Sequence, residues 1–368
     1  MNYINKLNIE HFRNFDKLSI DLNNRWNVIL GDNGSGKTNI LESISLFEIG
    51  RGLRKDRLIN MINNKNKHKM FILNAKFMID KDKFDQTIFC ELNHDKLNKK
   101  VIINGKKSND RKDYYEKLYS IMWFIPEMER IFITNPSLRR NFIDRLIYGA
   151  DRNYLKILTQ YKKKISERNK ILNYNQYDEN WIDQVENEII EIGLIIYKKR
   201  KQHIHFLNSN ILSILNLNKD FDKFKLLMDD QLFNNLEKSE DNFKSMYLLK
   251  LKSSRNYDSV LGGCKIGPHK TNIYGIQLEK KIYASQLSTG QQKTFVLLII
   301  IAQCKYLIDN LNIRPIVLLD EICSYLDDQN RKLLLEIINN LEAQIFMTGI
   351  KKDFFSFLST KANYYNIS

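Results

Sequence analysis

The stretch GDNGSGKTNILESI, Gly31 to Ile44, follows the short apolar run Trp26 to Leu30, and the reading of the whole chain turns on it. It fits G-x-x-x-x-G-K-[ST], the phosphate-binding loop pattern. Gly31, Gly34 and Gly36 can take backbone angles closed to other residues, so successive N–H groups of the loop, Asp32, Asn33 and Ser35 included, can point into one concavity. Lys37 would reach the β- and γ-phosphates of a nucleotide, and the Thr38 hydroxyl would hold Mg²⁺. The following TNILESISLF carries apolar residues at helical spacing, and the helix start adds a dipole that favours an anion. A plain connecting turn has no need of Lys37 and Thr38.

At 368 residues the chain is long for one compact core, so one large or two smaller domains are expected. Hydrophobic residues make up 43%, enough for a globular interior, and the 27% charged residues are close to average. The formal net charge is +15. That points to a polyanion, nucleic acid or membrane surface, as partner. The excess of Lys, Asn and Ile is equally what an AT-rich genome would produce, and both readings stand. The N-terminal MNYINKLNIEHFRNF has no uninterrupted apolar core, so no signal peptide is expected. The longest apolar run, Phe295 to Ala302, is too short to span a bilayer. Cys90, Cys264, Cys304 and Cys323 form no C-x-x-C pair, which argues against zinc and disulfides and for a reduced, cytoplasmic location.

Strands are expected at Tyr3 to Glu10, Lys17 to Leu22 and Trp26 to Leu30, then between Met70 and Ile103, with a turn at Asn104-Gly105. From Arg139 to about Asn216 there is no Pro and almost no Gly. Leu155, Leu158, Tyr161 and Ile165 share one helical face there, and NYNQYDEN, Asn173 to Asn180, reads as the bend between two antiparallel helices. Each helix would be on the order of 30–50 Å long. Strands return from Asp258, followed by a helix after Gly290 and a strand at Ile316 to Leu319.

RPIVLLDEICSYLDD, Arg314 to Asp328, ends an apolar run in two carboxylates. A central parallel strand delivers charge to a sheet's C-terminal edge in this way. Asp320 would organise Mg²⁺, and Glu321 is placed to polarise a water against the γ-phosphate. In YASQLSTGQQKTFVLLIIIAQ, Tyr283 to Gln303, Ser288 is a candidate N-cap, with exposed N–H groups around Gly290 ahead of an apolar helix. This second anion-binding helix start resembles the signature motif of ABC-type ATPases. In those proteins the signature closes over the γ-phosphate held by a partner subunit, so the resemblance implies an ATP-dependent homodimer in which Ser288 and Gly290 act in trans. SYLDD, Ser324 to Asp328, resembles the D-loop at the same interface.

Within that superfamily the chain resembles the RecF family of bacterial recombination repair nearly end to end. The blocks are LNIEHFRNF, LGDNGSGKTNILESI, GRGLRKDRLI, FIPEMERIFITNPSLRRNFIDRLI, YKKKISERNKIL, KIGPHK, YASQLSTGQQK and LLDEICSYLD. The resemblance implies an α/β fold. It is an ABC-type P-loop ATPase head, with a mixed sheet and flanking helices, and a short helical arm. The head would comprise 1–138 and 253–368, and the arm 139–252. The implied activity is ATP-dependent dimerisation on duplex and gapped DNA, with slow hydrolysis and recombinase loading alongside RecO and RecR proteins, without a membrane, at the nucleoid. Arg13, with Asn14, sits where the family approaches the nucleotide. Arg51, Arg54 and Arg57 are the nearest DNA-facing candidates; Arg139-Arg140 and Lys162 to Lys164 are weaker ones. Three departures stand out. Thr348 stands where transporter subunits keep a His as γ-phosphate sensor. No Gln lies between Thr38 and Gln86 to serve as the usual Gln loop. The KIGPHK block is followed by Thr271 and Asn272 instead of acids, and His269 reads equally as a lining or a turn residue. A transporter ATPase subunit and a P-loop phosphotransferase are the rival readings.

Overall fold

The computed structural model describes residues 2–66, 69–79, 82–93, 96–107, 118–174, 178–216, 222–236, 239–322, 337–356, 358 and 362–367. The expected D-loop, Ser324 to Asp328, and Cys323 lie outside these residues, as does the middle of NYNQYDEN. Two compact units form: Met1–Glu129 with Thr289–Ser368, and Arg130–Ser288.

The first unit opens with β1 (Tyr3–Phe12), β2 (Phe15–Asp21), β3 (Trp26–Leu30) and helix α1 (Lys37–Ser45). Strands β4 (Met70–Ile79), β5 (Asp82–Asn93), β6 (Lys96–Ile103) and β7 (Ser120–Phe124) follow. One sheet is antiparallel, in the order β2-β1-β4-β5-β6. Its strand β4 buries alternate residues, Phe71, Leu73, Ala75 and Phe77, as a strand with one covered face must.

The second unit holds α2 (Pro136–Ala150), α3 (Arg152–Leu172), α4 (Glu179–Asn216), β8 (Phe224–Asp229), α5 (Gln231–Leu236), α6 (Glu240–Leu261), β9 (Asn272–Gln277) and β10 (Ile282–Tyr283). The continuous helical run expected from Arg139 is broken at Asp151. Its carboxylate accepts from the Asn153 N–H at 3.0 Å and caps α3. At ~1.5 Å per residue α3 is about 32 Å long, but the 38 residues of α4 reach about 57 Å, beyond the expected range. Strands do not return at Asp258, which is still in α6, and β8 was not anticipated. Because β9 pairs with β8, the segment after 252 joins the helical unit, and the compact units divide at 129/130 and 288/289 instead of at 138/139 and 252/253.

Returning to the first unit, the chain forms α7 (Thr289–Leu311), β11 (Pro315–Leu319), β12 (Gln344–Gly349) and β13 (Asn363–Asn366). These strands complete a parallel sheet in the order β13-β3-β12-β11-β7. Strands β3, β7 and β11 are buried at every residue, the pattern of parallel strands covered on both faces. Helix α7 is long and apolar enough by composition to cross a bilayer, but Phe295 to Ala302 are all buried in this unit's core. Gln344 joins the two sheets of the unit. Its amide donates to the Ile4 carbonyl at 2.7 Å and accepts from the Ile4 N–H at 2.8 Å.

An ionic knot ties α3, α4 and α6 of the second unit together. Arg168 is fully buried and donates to Glu186 at 2.8 Å, Asp258 at 2.7 Å and the Leu251 carbonyl at 2.8 Å. Arg255 adds bonds to Glu186 and Glu179, both at 2.6 Å, and to Asp183. Removing one partner of such a set leaves buried charge uncompensated, at a cost of about 3–5 kcal/mol. Arg168→Ala should therefore lower unfolding free energy by about that amount in urea. A loss below about 1 kcal/mol, the scale of an exposed pair, would show that the knot does not hold the unit together.

Candidate nucleotide-binding site

Parallel register places the candidate residues on one sheet edge. Leu319, the last residue of β11, pairs with Phe124 and Met347, and Gly349 of β12 pairs with Leu30 of β3. Gly31, Thr348 and Asp320 thus share the C-terminal edge, where ligands of parallel sheets bind. The loop after β3 wraps tightly. Gly36 sits at φ 106°, and a Cβ there would lie 2.5 Å from Asn14 Nδ2 and 2.8 Å from the Phe15 ring. At Gly31 a Cβ would lie 2.3 Å from the Ile367 carbonyl oxygen, so this position too admits only glycine.

Lys37 is buried and curls back into the loop, donating to the carbonyls of Gly31 at 2.8 Å and Asp32 at 2.7 Å. Asp32, Asn33 and Gly34 are exposed, and Gly31, Ser35 and Thr38 are half-buried. The Ser35 hydroxyl is buried without a hydrogen-bond partner. The Thr38 hydroxyl donates to the Asp320 carboxylate, 2.9 and 3.1 Å from its two oxygens. From the neighbouring strand the Thr348 hydroxyl donates to Asp320 Oδ1 at 2.7 Å. Burial pushes the Asp320 carboxyl up from its ordinary value; the two threonine bonds and the charge of Arg54 pull it back, while Glu127 pushes it further up. Glu321, next along, is exposed at the sheet edge with φ 49°.

Two oxygen donors, one of them a carboxylate, suit Mg²⁺, which takes one or two carboxylates and completes its shell with phosphates and waters. Among the described residues no group of three or more His, Cys, Asp or Glu is placed to hold a metal by itself.

Other candidates fall differently. The Arg13 guanidinium donates to both oxygens of the buried Glu42 of α1 at 2.8 Å, to Asp56 at 3.0 Å and to the Asn60 carbonyl at 2.8 Å. It braces α1 with four of its five N–H groups, which leaves one N–H of Nη1 for a nucleotide contact. Asn14 donates to the Ser35 carbonyl at 3.0 Å, which holds the loop. Arg54 bonds Asn39 at 2.7 Å and Glu42 at 3.3 Å, and it is exposed, as Arg51 and Arg57 are. Arg139 donates to the carbonyls of Ile273, Phe132 and Thr134, and Arg140 to that of Thr271, so this pair builds the second unit instead of facing DNA. Lys164 is paired with Glu167 and Glu188; Lys162 and Lys163 are exposed. His269 is half-buried. Its ring bonds Tyr161 and the Cys264 carbonyl inside the second unit, and burial pushes it down to about 4. Gln86 is buried in β5, accepting from Tyr119.

Ser288 and Thr289 are exposed, and α7 begins at Thr289, which puts Ser288 at the N-cap position; Gly290 is half-buried. Sequence reasoning missed Lys293 in the same helix. It is buried, 2.8 Å from Glu129, with its ammonium 5.7 Å from the centre of the Phe124 ring. Nothing in a lysine's type or spacing marks it as an inward-facing tie between α7 and the segment after β7.

The family model described as the RecF/RecN/SMC N terminal domain matches residues 3–366. The DNA replication and repair protein RecF of Rickettsia conorii (strain ATCC VR-613 / Malish 7) is 32% identical over 362 residues, 98% of each chain. The chain belongs to the RecF family. A solved structure of the recombination mediator protein RecF with ATP superposes with a TM-score of 0.82 at 23% identity, covering 97% of this chain and 94% of that one. The Smc head bound to the C-winged helix domain of ScpA gives 0.56 at 17% identity, covering 99% and 94%. These two likenesses concern the fold, that of an ABC-type ATPase head. RecF membership sets aside the transporter and phosphotransferase readings.

For this RecF-family loop, Lys37→Ala removes a charge that makes two charge-assisted bonds to loop carbonyls and would turn to phosphate. At about 1.5–3 kcal/mol for one such bond, ATP affinity should fall about ten- to hundredfold in equilibrium titration. Unchanged affinity in a folded variant would remove Lys37 from the site.

Proposed function

We propose that this chain is an ATP-dependent DNA-binding protein of replication and recombinational repair. On binding ATP with Mg²⁺ it dimerises, holds duplex DNA at single-strand gaps, and assists recombinase loading together with RecO- and RecR-like partners. Hydrolysis then opens the dimer. Its place of action is the nucleoid, in the cytoplasm. The observation that carries this reading is the Asp320 carboxylate, buried at the sheet edge, hydrogen-bonded to Thr38 of the phosphate loop and followed by the exposed Glu321.

The loop Gly31 to Thr38 binds the phosphates through its backbone N–H groups and Lys37, and Thr38 and Asp320 hold the metal ion. Mg²⁺, when bound, neutralises charge on the β- and γ-phosphates. Arg13 keeps α1 in place beneath the nucleotide through Glu42. Glu321 orients the attacking water and takes its proton. The exposed start of α7, with Ser288 and Gly290, closes over the γ-phosphate bound by a second copy. Arg51, Arg54 and Arg57, all exposed just after α1, meet DNA phosphates, which makes binding insensitive to sequence and steeply dependent on salt.

Glu321→Gln keeps side-chain size and most hydrogen bonding but cannot accept the proton. ATP binding should persist, hydrolysis should fall ~10²–10⁴-fold, and an ATP-bound dimer should accumulate on duplex DNA. Turnover is measured by phosphate release and retention by filter binding. A dimer that forms with ATP yet gains no DNA retention would break the proposed link between the nucleotide and DNA.

A further inference from the structure

Thr348 occupies the position that a γ-phosphate sensor would take, but its surroundings assign it other work. The residue is fully buried in β12, one position before the strand's end. Its hydroxyl donates to Asp320 Oδ1 at 2.7 Å and accepts from the Glu321 N–H at 2.9 Å. A threonine hydroxyl has one proton to give, and that proton faces a carboxylate. The side chain is too short and too enclosed to offer a donor to a ligand beyond the sheet edge.

Glu321 needs such an anchor. Its φ of 49° lies in the left-handed region, which residues with a Cβ rarely adopt and which persists only where the surroundings impose it. Both peptides that flank Asp320 are pinned, one by Asp320 N–H to the Phe124 carbonyl at 2.9 Å and the other by Glu321 N–H to Thr348. The first bond continues the ladder between β11 and β7. The second is made to a side chain and has no ladder to replace it.

We infer that Thr348 is a positioning residue for ATP hydrolysis: its hydroxyl orients the Asp320 carboxylate and fixes the backbone turn that aims Glu321 at the attacking water. This rests on the proposed hydrolytic role of Glu321. The hydroxyl does not contact the nucleotide, so its loss should leave ATP affinity alone and act on turnover. A displacement of a catalytic group by about 1 Å can cost ~10²-fold in rate.

Two measurements on the full chain keep the inference separate from the reading beneath it. In residue-resolved amide exchange without nucleotide, the Glu321 N–H should exchange slowly in the wild type, fast in Thr348→Val, and slowly again in Thr348→Ser. In ATP titration and turnover, Thr348→Val should bind ATP within about twofold of wild type while kcat falls ten- to hundredfold, and Thr348→Ser should restore kcat. Unprotected exchange at Glu321 in the wild type overturns the inference even if the valine variant does not fold. So does an unchanged kcat in a folded Thr348→Val, or a loss of ATP affinity in place of kcat, which would put the hydroxyl's effect on nucleotide binding and not on turnover. A wild type that protects Glu321 N–H but never turns over ATP overturns the positioning role together with the hydrolytic reading, while leaving the hydroxyl's structural bond in place.

Discussion

The first unit is organised around a carboxylate in a place that is hostile to charge. Asp320 is only 4% exposed, at the end of an apolar strand. An unpaired carboxylate there would cost more than most single contacts return, so the position requires hydrogen-bond donors. Two threonines supply them, Thr38 from the helix that follows β3 and Thr348 from β12. No cation lies in direct contact with the carboxylate among the described residues; Arg54 acts on it only through its field. The hydroxyls satisfy the oxygens without neutralising them, so negative charge stays available beside the loop that carries Lys37. A salt bridge at the same place would have stabilised the fold and blocked the site. The second unit makes the opposite choice: Arg168, Glu186, Asp258 and Arg255 neutralise one another in its interior.

The same logic separates the basic residues. Of the arginines near the phosphate loop, Arg13 and Arg54 converge on Glu42, a fully buried acid in α1. They serve the helix that carries Lys37 and Thr38. Arg54 does so from an exposed position, as Arg51 and Arg57 of the same short segment are exposed too. A net charge of +15 is therefore not one undivided surface feature. Part of it is internal scaffolding, as Arg139 and Arg140 also show, and only the remainder can meet a polyanion.

Much of the site was legible in the sequence because its chemistry depends on residue types that have no other reason to occur together. Gly31, Gly36, Lys37 and Thr38 follow a buried strand in fixed order, and Asp320-Glu321 end another. Most strands of the first unit were legible from their alternation or continuous apolar runs, but β7 and β13 were not anticipated. What stayed hidden depended on tertiary partners. Thr348 in QIFMTG was marked by its place alone, where transporter subunits keep a His, and only the parallel register brings its hydroxyl to Asp320. Arg168 lies in the polar-looking SERNK, yet it continues the inward face of Tyr154, Leu158 and Tyr161 and is buried because Glu186 and Asp258 meet it. The break at Asp151 is a single side-chain cap between two helical patterns in the same phase. The pairing of β9 with β8 moved a boundary that composition had placed after residue 252.

The central claim is that this buried carboxylate completes an ATP–Mg²⁺ site whose filling turns monomers into dimers on DNA. Light scattering of the chain with duplex DNA, titrated with ATP in the presence and absence of Mg²⁺, tests it most directly. The account predicts a doubling of protein mass per complex that requires both ATP and Mg²⁺ and is lost in Asp320→Asn. Dimers that form on DNA regardless of nucleotide, or that persist undiminished in Asp320→Asn, would contradict it.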